Sequence, residues 1–304
     1  MKRFGRTWFR TVVYSACFAA VSASIVQAQQ PPQQQPPAAP SPSLTEPVFR
    51  VSKNEPSVPA GVAHPLDPAI QLAHQSLALI RNDLKDYTAV LVKRERIGEE
   101  LGDQEFMFVK IRNRKVQNNQ IVVPFSVYVA FLKPAAVKGR EVLYVENQNH
   151  GKLFAHEGGM KRMLGTHSLP PDGYLAMAGN RYPLTDIGIE NLVIKLIERG
   201  EKDKRHGSCN VELIPGGKVG GRNCSILQVT HPIQQPHYEF NIAQIFMDDE
   251  WKIPVRYAAY SWPKTAGGQP EVIEEYTYQN LKFNVGLTDA DFDVKHKDYN
   301  FHGK

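Results

Sequence analysis

The chain has 304 residues, 36 Lys+Arg against 31 Asp+Glu, and a formal net charge of +5. Four of those basic residues, Lys2, Arg3, Arg6 and Arg10, sit in the first ten positions, and without them 32 bases face 31 acids. The remaining chain is nearly neutral, which excludes the electrostatic footprint of a nucleic-acid-binding protein.

The N-terminus predicts an export signal over residues 1–28. A basic start "MKRFGRTWFR" is followed by the apolar run "TVVYSACFAAVSASIV" and by "VQA", with Val26 and Ala28 at the small positions of a cleavage site. Ser15, Ser22 and Ser24 dilute the run below a comfortable membrane span, so no transmembrane segment is expected in the mature chain. Residues 29–63, beginning "QQPPQQQPPAAPSPSLTEP", are rich in Pro and Gln and predict an extended linker. One folded domain is expected over 64–304.

That domain opens with a helix. Asp67 can cap it and Pro68 suits its first turn, while Ile70, Ala73, Leu77, Ile80 and Leu84 recur every three or four residues. Strands follow: "YTAVLVKRERI" and "DQEFMFVKIRN" around the turn "GEELGD", then "FSVYVAFLKP", "REVLYVE" and "KLFAHEG". Residues 163–186 are irregular, broken by Pro170, Pro171, Gly173 and Pro183. A second helix comes next, capped by Thr185 or Asp186, with Ile189, Leu192, Val193, Leu196 and Ile197 on one face and Gly200 at its end. The last third returns to strands: "CNVELI", "CSILQVTHP", "FNIAQIFMD", "IPVRYAAYSW" and "EVIEEYTYQNLKFNV".

Consecutive strands flanked by helices predict an α+β fold built on one curved antiparallel sheet. "SVYVAFLKP" is apolar on both sides, unlike a strand open to water on one face. Two helices cannot cover that much apolar surface. The sheet is therefore expected to bend into an unclosed β-barrel with the helices as a lid. Phe106, Phe108, Phe125, Val127, Val129, Phe131 and Phe246 are expected to line its concavity, filled by side chains or by a ligand.

Cys17 lies within the signal, leaving Cys209 and Cys224. In an exported chain such a pair predicts a disulfide. Folding "CNVELIPGGKVGGRNC" about Gly216 and Gly217 would set the two opposite each other. A bridge there would stabilise by roughly 3 kcal/mol in the chain-entropy view.

No G-x-S-x-G or H-E-x-x-H is present, and "GGKVGG" lacks the Lys-Ser/Thr of a phosphate loop. His150 and His156, six apart around one strand, would stand roughly 20 Å from each other. "THPIQQPH", with His231 and His237, reads as a loop, and Asp289, Asp291 and Asp293 as a solvated turn. No catalytic residue, metal or cofactor is expected, and a hydrolase is the weakest of the readings.

Several segments resemble known families. "FLKPAAVKGREVLYVENQNHGKLFAHEG", "FMDDEWKIPVRYAAYSWP" and "EEYTYQNLKFNVGLTDADFD" are similar in strand pattern to the LolA/LolB-like periplasmic lipoprotein carriers. "LPPDGYLAMAGNRYPLTDIGIENLVIKLIERG" resembles more closely the DUF1571 family of bacterial envelope proteins, and the likeness covers most of residues 70–295. The resemblance implies a LolA-like half-barrel with a helical lid and an apolar pocket able to hold acyl chains. It leaves Arg96 and Arg140 both open as counterparts of the carriers' functional arginine. The function expected is an exported, non-enzymatic binding protein whose partner is an apolar ligand, a lipid or the acyl chains of a lipoprotein. The alternative is a structural or interaction module of the envelope with a filled pocket.

Overall fold

The computed structural model describes residues 64–301, apart from Ser208 and Ala266. The predicted signal at 1–28 and linker at 29–63 lie outside the described residues.

Helix α1 (Asp67–Asp83) comes first. Asp67 stands inside it and its carboxylate accepts the backbone N–H of His64 at 2.9 Å, while Leu66 takes the capping position. Strands β1 (Asp86–Ile97), β2 (Glu100–Leu101) and β3 (Glu105–Arg112) follow. A small hairpin, β4 (Lys115–Gln117) and β5 (Gln120–Val123), forms a separate two-stranded sheet that the sequence reading did not anticipate. Next come β6 (Ser126–Lys133), β7 (Glu141–Val145) and β8 (Leu153–His156). The irregular segment holds a short strand, β9 (Thr166–Leu169), and one helical turn, α2 (Tyr174–Met177). Helix α3 (Ile189–Asp203) leads into β10 (Asn210–Val219), β11 (Arg222–Thr230), β12 (Ile242–Asp248), β13 (Pro254–Tyr260) and β14 (Val272–Phe283).

The main sheet runs β10-β11-β12-β13-β14-β1-β3-β6-β7-β8-β9, with β2 on β1. Every pairing is antiparallel. Its outermost strands, β10 and β9, do not pair with each other, so the barrel is unclosed. The two long helices pack together, and α3 also meets β13. The apolar core lies between these helices and the sheet, where Ile80, Leu84, Ile189 and Val193 meet Leu91, Val109, Ile111, Val127 and Val129.

Gly200 does not end α3, which runs on to Asp203. A Cβ at Gly200 would stand 2.9 Å from Ile70 Cγ1, so this glycine lets α1 and α3 approach closely. The N-terminus of α3 is held by a side chain from the sheet: the Tyr87 hydroxyl oxygen accepts the Ile189 N–H at 2.8 Å. Thr185 and Asp186 belong instead to a separate turn before the helix.

The second face of β6 has a cover that its own strand pattern could not identify. Val127, Val129 and Phe131 face the helices. Tyr128 and Ala130 face outward, with Phe108, Leu143 and Val145, beneath Phe292, Tyr299 and Phe301 of the C-terminal segment. The outer apolar surface around Tyr128 and Ala130 is thus hidden by residues 292–301.

The expected disulfide is absent: Cys209 and Cys224 are free and buried. The hairpin turns at the second Gly-Gly pair, not the first. Gly220 and Gly221 have φ of +54° and +85° and join Val219 to Arg222, as a tight hairpin turn requires. That register sets Gly217 across from Cys224 and leaves Cys209 just before Asn210, at the far end of the ladder beside Thr230. Burial pushes the Cys209 thiol up to about 11 and the Cys224 thiol up to about 12.

Candidate functional site

A cavity of about 310 Å³ lies between the sheet and the helical lid. The register builds its apolar wall in rows. Val129, Val142 and Ala155 are successive partners across β6, β7 and β8. Leu91, Met107 and Phe131 make a second row across β1, β3 and β6. Leu175, Ala176, Leu184 and Ile187 close it from the segment between β9 and α3, and Leu192 and Leu196 of α3 complete the roof.

Charge gathers toward β14. Tyr257, Tyr276 and Lys93 are register partners across β13, β14 and β1, and all three border the cavity. Beside them lie two carboxylates, Glu95 at 6% exposure and Glu274 at 3%. Each is satisfied by the lid. The Arg181 N–H donates to Glu95 at 3.1 Å and its Nε donates to Glu274 at 2.9 Å. The Tyr182 hydroxyl donates to Glu274 at 3.3 Å, and the Tyr276 hydroxyl donates to Glu95. Lys93 Nζ donates to the Asn180 side-chain oxygen at 2.6 Å and lies 3.0 Å from Glu105. Arg181 Nη1 reaches the Arg96 carbonyl at 3.1 Å. Buried charges survive only when paired in this way.

The electrostatics follow from burial. Desolvation raises the Glu274 carboxyl above its ordinary value, with Arg181 pulling the other way. Burial, reinforced by Glu274 and Glu95, raises Tyr276 far above its usual range and keeps its hydroxyl a donor. These groups fix the lid segment to the sheet and give the cavity one polar end.

The seven residues expected to line the concavity divide. Val129 and Phe131 border the cavity. Val127 and Phe125 share their face and lie in the same core, with Phe125 beside a smaller recess near Gly188 and Asn191. Phe106 and Phe108 are corrections. The pairing of Met107 with Phe131 and of Val109 with Val129 turns the even positions of β3 outward. Phe106 packs with Val90, Val92 and Leu132, and Phe108 with the C-terminal cluster. Phe246 is fully buried and pairs with Arg256, in the row alternate to Ile245 and Tyr257, so it too stays off the cavity wall.

Of the two arginines left open by the resemblance, Arg140 borders the cavity, 3.1 Å from Glu157 and over the Phe131 ring at 5.4 Å. Arg96 bonds to the Val272 and Glu99 carbonyls. The sequence reading missed Lys93, Glu95, Arg181 and Glu274. For two of them a signal existed: Lys93 and Glu95 continue the alternation of Leu91 along β1.

Three histidines gather away from the cavity, and His156 and His167 stay in the β8-β9 ladder. His206 and His237 stack at 4.1 Å, and His231 stacks on Tyr238 at 3.9 Å. His231 Nε2 lies 3.7 Å from Asp203, and both residues are buried. Among the described residues no group of three or more His, Cys, Asp or Glu could hold a metal ion. None of their helices is long and apolar enough to cross a membrane.

Fold and cavity together define a lidded, unclosed β-barrel. The family described as "Protein of unknown function (DUF1571)" matches residues 84–301, and the chain belongs to that family. No curated protein matches the sequence significantly. Among solved structures, a DUF1329 family protein from Desulfovibrio piger is similar at 15% identity, covering 76% of this chain and 98% of that one, with a TM-score of 0.36. The MucA/MucB complex of Pseudomonas aeruginosa is similar at 11% identity over 74% of this chain and 60% of that one, with a TM-score of 0.42. A LolA superfamily protein from Nitrosomonas europaea is similar at 11% identity over 74% and 97%, with a TM-score of 0.30.

Proposed function

We propose that the protein is an exported, non-enzymatic binding protein that holds an apolar ligand, a lipid or the acyl chains of a lipoprotein, inside the half-barrel. The supporting observation is the cavity: about 310 Å³ of space walled by aliphatic rows and roofed by apolar lid residues. Sites for small ligands span about 300–1,000 Å³, so this one takes a slim chain more readily than a bulky ring system. Affinity would come from removing apolar surface from water, about 25 cal/mol per Å² before ordering costs. The charged groups around the space are spent on one another, with Glu95 and Glu274 engaged by Arg181 and the tyrosines. Export rests on the basic, apolar and small-residue pattern of residues 1–28.

The test is uptake of a fluorescent fatty acid by delipidated protein. Val142→Trp places a large ring in the Val129–Val142–Ala155 row. The expected result is saturable uptake by the wild type and at least tenfold weaker uptake by a folded Val142→Trp variant. Equal uptake by both, or none by the wild type, would refute the reading.

A further inference from the structure

We propose that the turn between β8 and β9 is a membrane-docking surface for anionic lipid headgroups. The segment "GGMKRMLG", residues 158–165, forms a 3-10 turn over Gly159–Leu164. Met160 is 92% exposed, Met163 90% and Leu164 64%. Single exposed apolar residues are ordinary on a protein surface, but three within five positions form a patch that favours a partner. Lys161 and Arg162 sit among them, also exposed.

The charge around the patch selects the occupant. Residues 158–169 contain no acid, and neither do residues 133–140, where the exposed Lys138 lies. The two segments touch: a Cβ at Gly158 would stand 2.1 Å from the Lys138 carbonyl oxygen and 2.8 Å from the Arg140 N. Glu157, at the base of the turn, is held by Arg140 at 3.1 Å. The surface therefore offers projecting methionine and leucine side chains with cations at their level. Apolar groups sink into the headgroup boundary while lysine and arginine meet anionic headgroups, each basic residue adding roughly a fivefold preference.

The turn also has a fixed place relative to the cavity. Arg140 and Glu157, which anchor its base, border the cavity, as does Leu169 at the end of β9. A bilayer held by the turn would lie against the cavity rim. Docking does not depend on the cavity being a ligand site, and the two are tested apart.

The experiment is cosedimentation with vesicles of phosphatidylglycerol and phosphatidylcholine, compared with phosphatidylcholine alone. Three variants are compared with the wild type in the same purified form. They are the triple variant Met160→Ser, Met163→Ser, Leu164→Ser; the double variant Lys161→Glu, Arg162→Glu; and the cavity variant Val142→Trp. Because the five substituted side chains of the turn are exposed, both turn variants should keep the wild-type melting temperature. The expected result is salt-sensitive binding to anionic vesicles, at least about tenfold weaker in each turn variant and unchanged by Val142→Trp. Absent vesicle binding, or binding that the turn variants leave intact, would overturn the proposal. So would loss on Val142→Trp alone, which would assign the binding to the cavity. Retention on an immobilised acidic peptide without vesicle binding would make the turn a protein-docking site and would also overturn it.

Discussion

Tyr128 and Tyr299 stack with ring centroids 3.8 Å apart and planes 7° from parallel. One ring belongs to β6 in the middle of the chain and the other to its last residues. This contact, with Phe301 edge-on to Tyr128 at 6.4 Å, clamps the C-terminal segment to the outer face of the sheet. The Tyr299 hydroxyl also donates to the Asp291 carbonyl at 2.7 Å. Tyr299→Ala is expected to destabilise the protein by about 3–5 kcal/mol, the range for truncating a large buried aromatic ring. Denaturant unfolding measures it. A change under about 0.5 kcal/mol, the scale of ordinary surface substitutions, would show that the tail is dispensable.

Arg181→Met removes the cation that reaches Glu274 at 2.9 Å while keeping much of the side-chain volume. Glu274 is raised by burial, and losing Arg181 raises it further. The penalty is borne by the charged carboxylate, so it falls as Glu274 takes up a proton. Arg181 is 31% exposed, so solvent screens part of the interaction. A loss of about 1–3 kcal/mol is expected at pH 8 and a smaller loss at pH 5. Equal losses at the two pH values would contradict this assignment.

Asp203 supplies a second pH signature. Burial raises its carboxyl from 3.8 to about 6. The folded chain therefore binds this proton more tightly than the unfolded chain. Its contribution to stability is full below about pH 4 and is lost as pH rises through about 6. His231 acts in the opposite sense: burial lowers it from 6.5, so its contribution falls as pH drops below that value. Asp203→Asn should raise the melting temperature at pH 7.5 and change it little at pH 4. A variant less stable than the wild type at pH 7.5 would show that the ionised carboxylate is a stabilising partner of His231.

The two buried thiols make a further prediction. Dithiothreitol should leave the melting temperature of the folded domain unchanged, and Ellman's reagent should reach Cys209 and Cys224 only as fast as the protein opens. A fall in melting temperature on reduction would restore the disulfide.

That β1, β3 and β6 are strands was legible in their runs of β-branched and aromatic residues, and the stripes of α1 and α3 in apolar residues recurring every three or four positions. The inward face of β3 was not. In "EFMFVKIR" both sides are apolar, so nothing in the strand says whether Phe106 and Phe108 or Met107 and Val109 turn inward. Pairing with β1 and β6 decides it. The cover over Tyr128 was hidden for a similar reason, since Tyr299 and Phe301 are isolated aromatics in a polar tail with no periodicity. The hairpin offered two Gly-Gly pairs, and choosing between them required the register that β12 imposes on β11. The polar end of the cavity escaped because Lys93 and Glu95 belong to the charged run "VKRERI", and charges on a strand ordinarily face water. Their partners Asn180 and Arg181 lie more than eighty residues away and meet them only in the fold.

Native mass spectrometry of protein purified gently from its host reads the occupant of the cavity itself. One bound apolar molecule per chain is expected, released on denaturation and absent from Val142→Trp. A wild-type mass equal to the bare polypeptide, unchanged after incubation with fatty acid or acylated peptide, would contradict it.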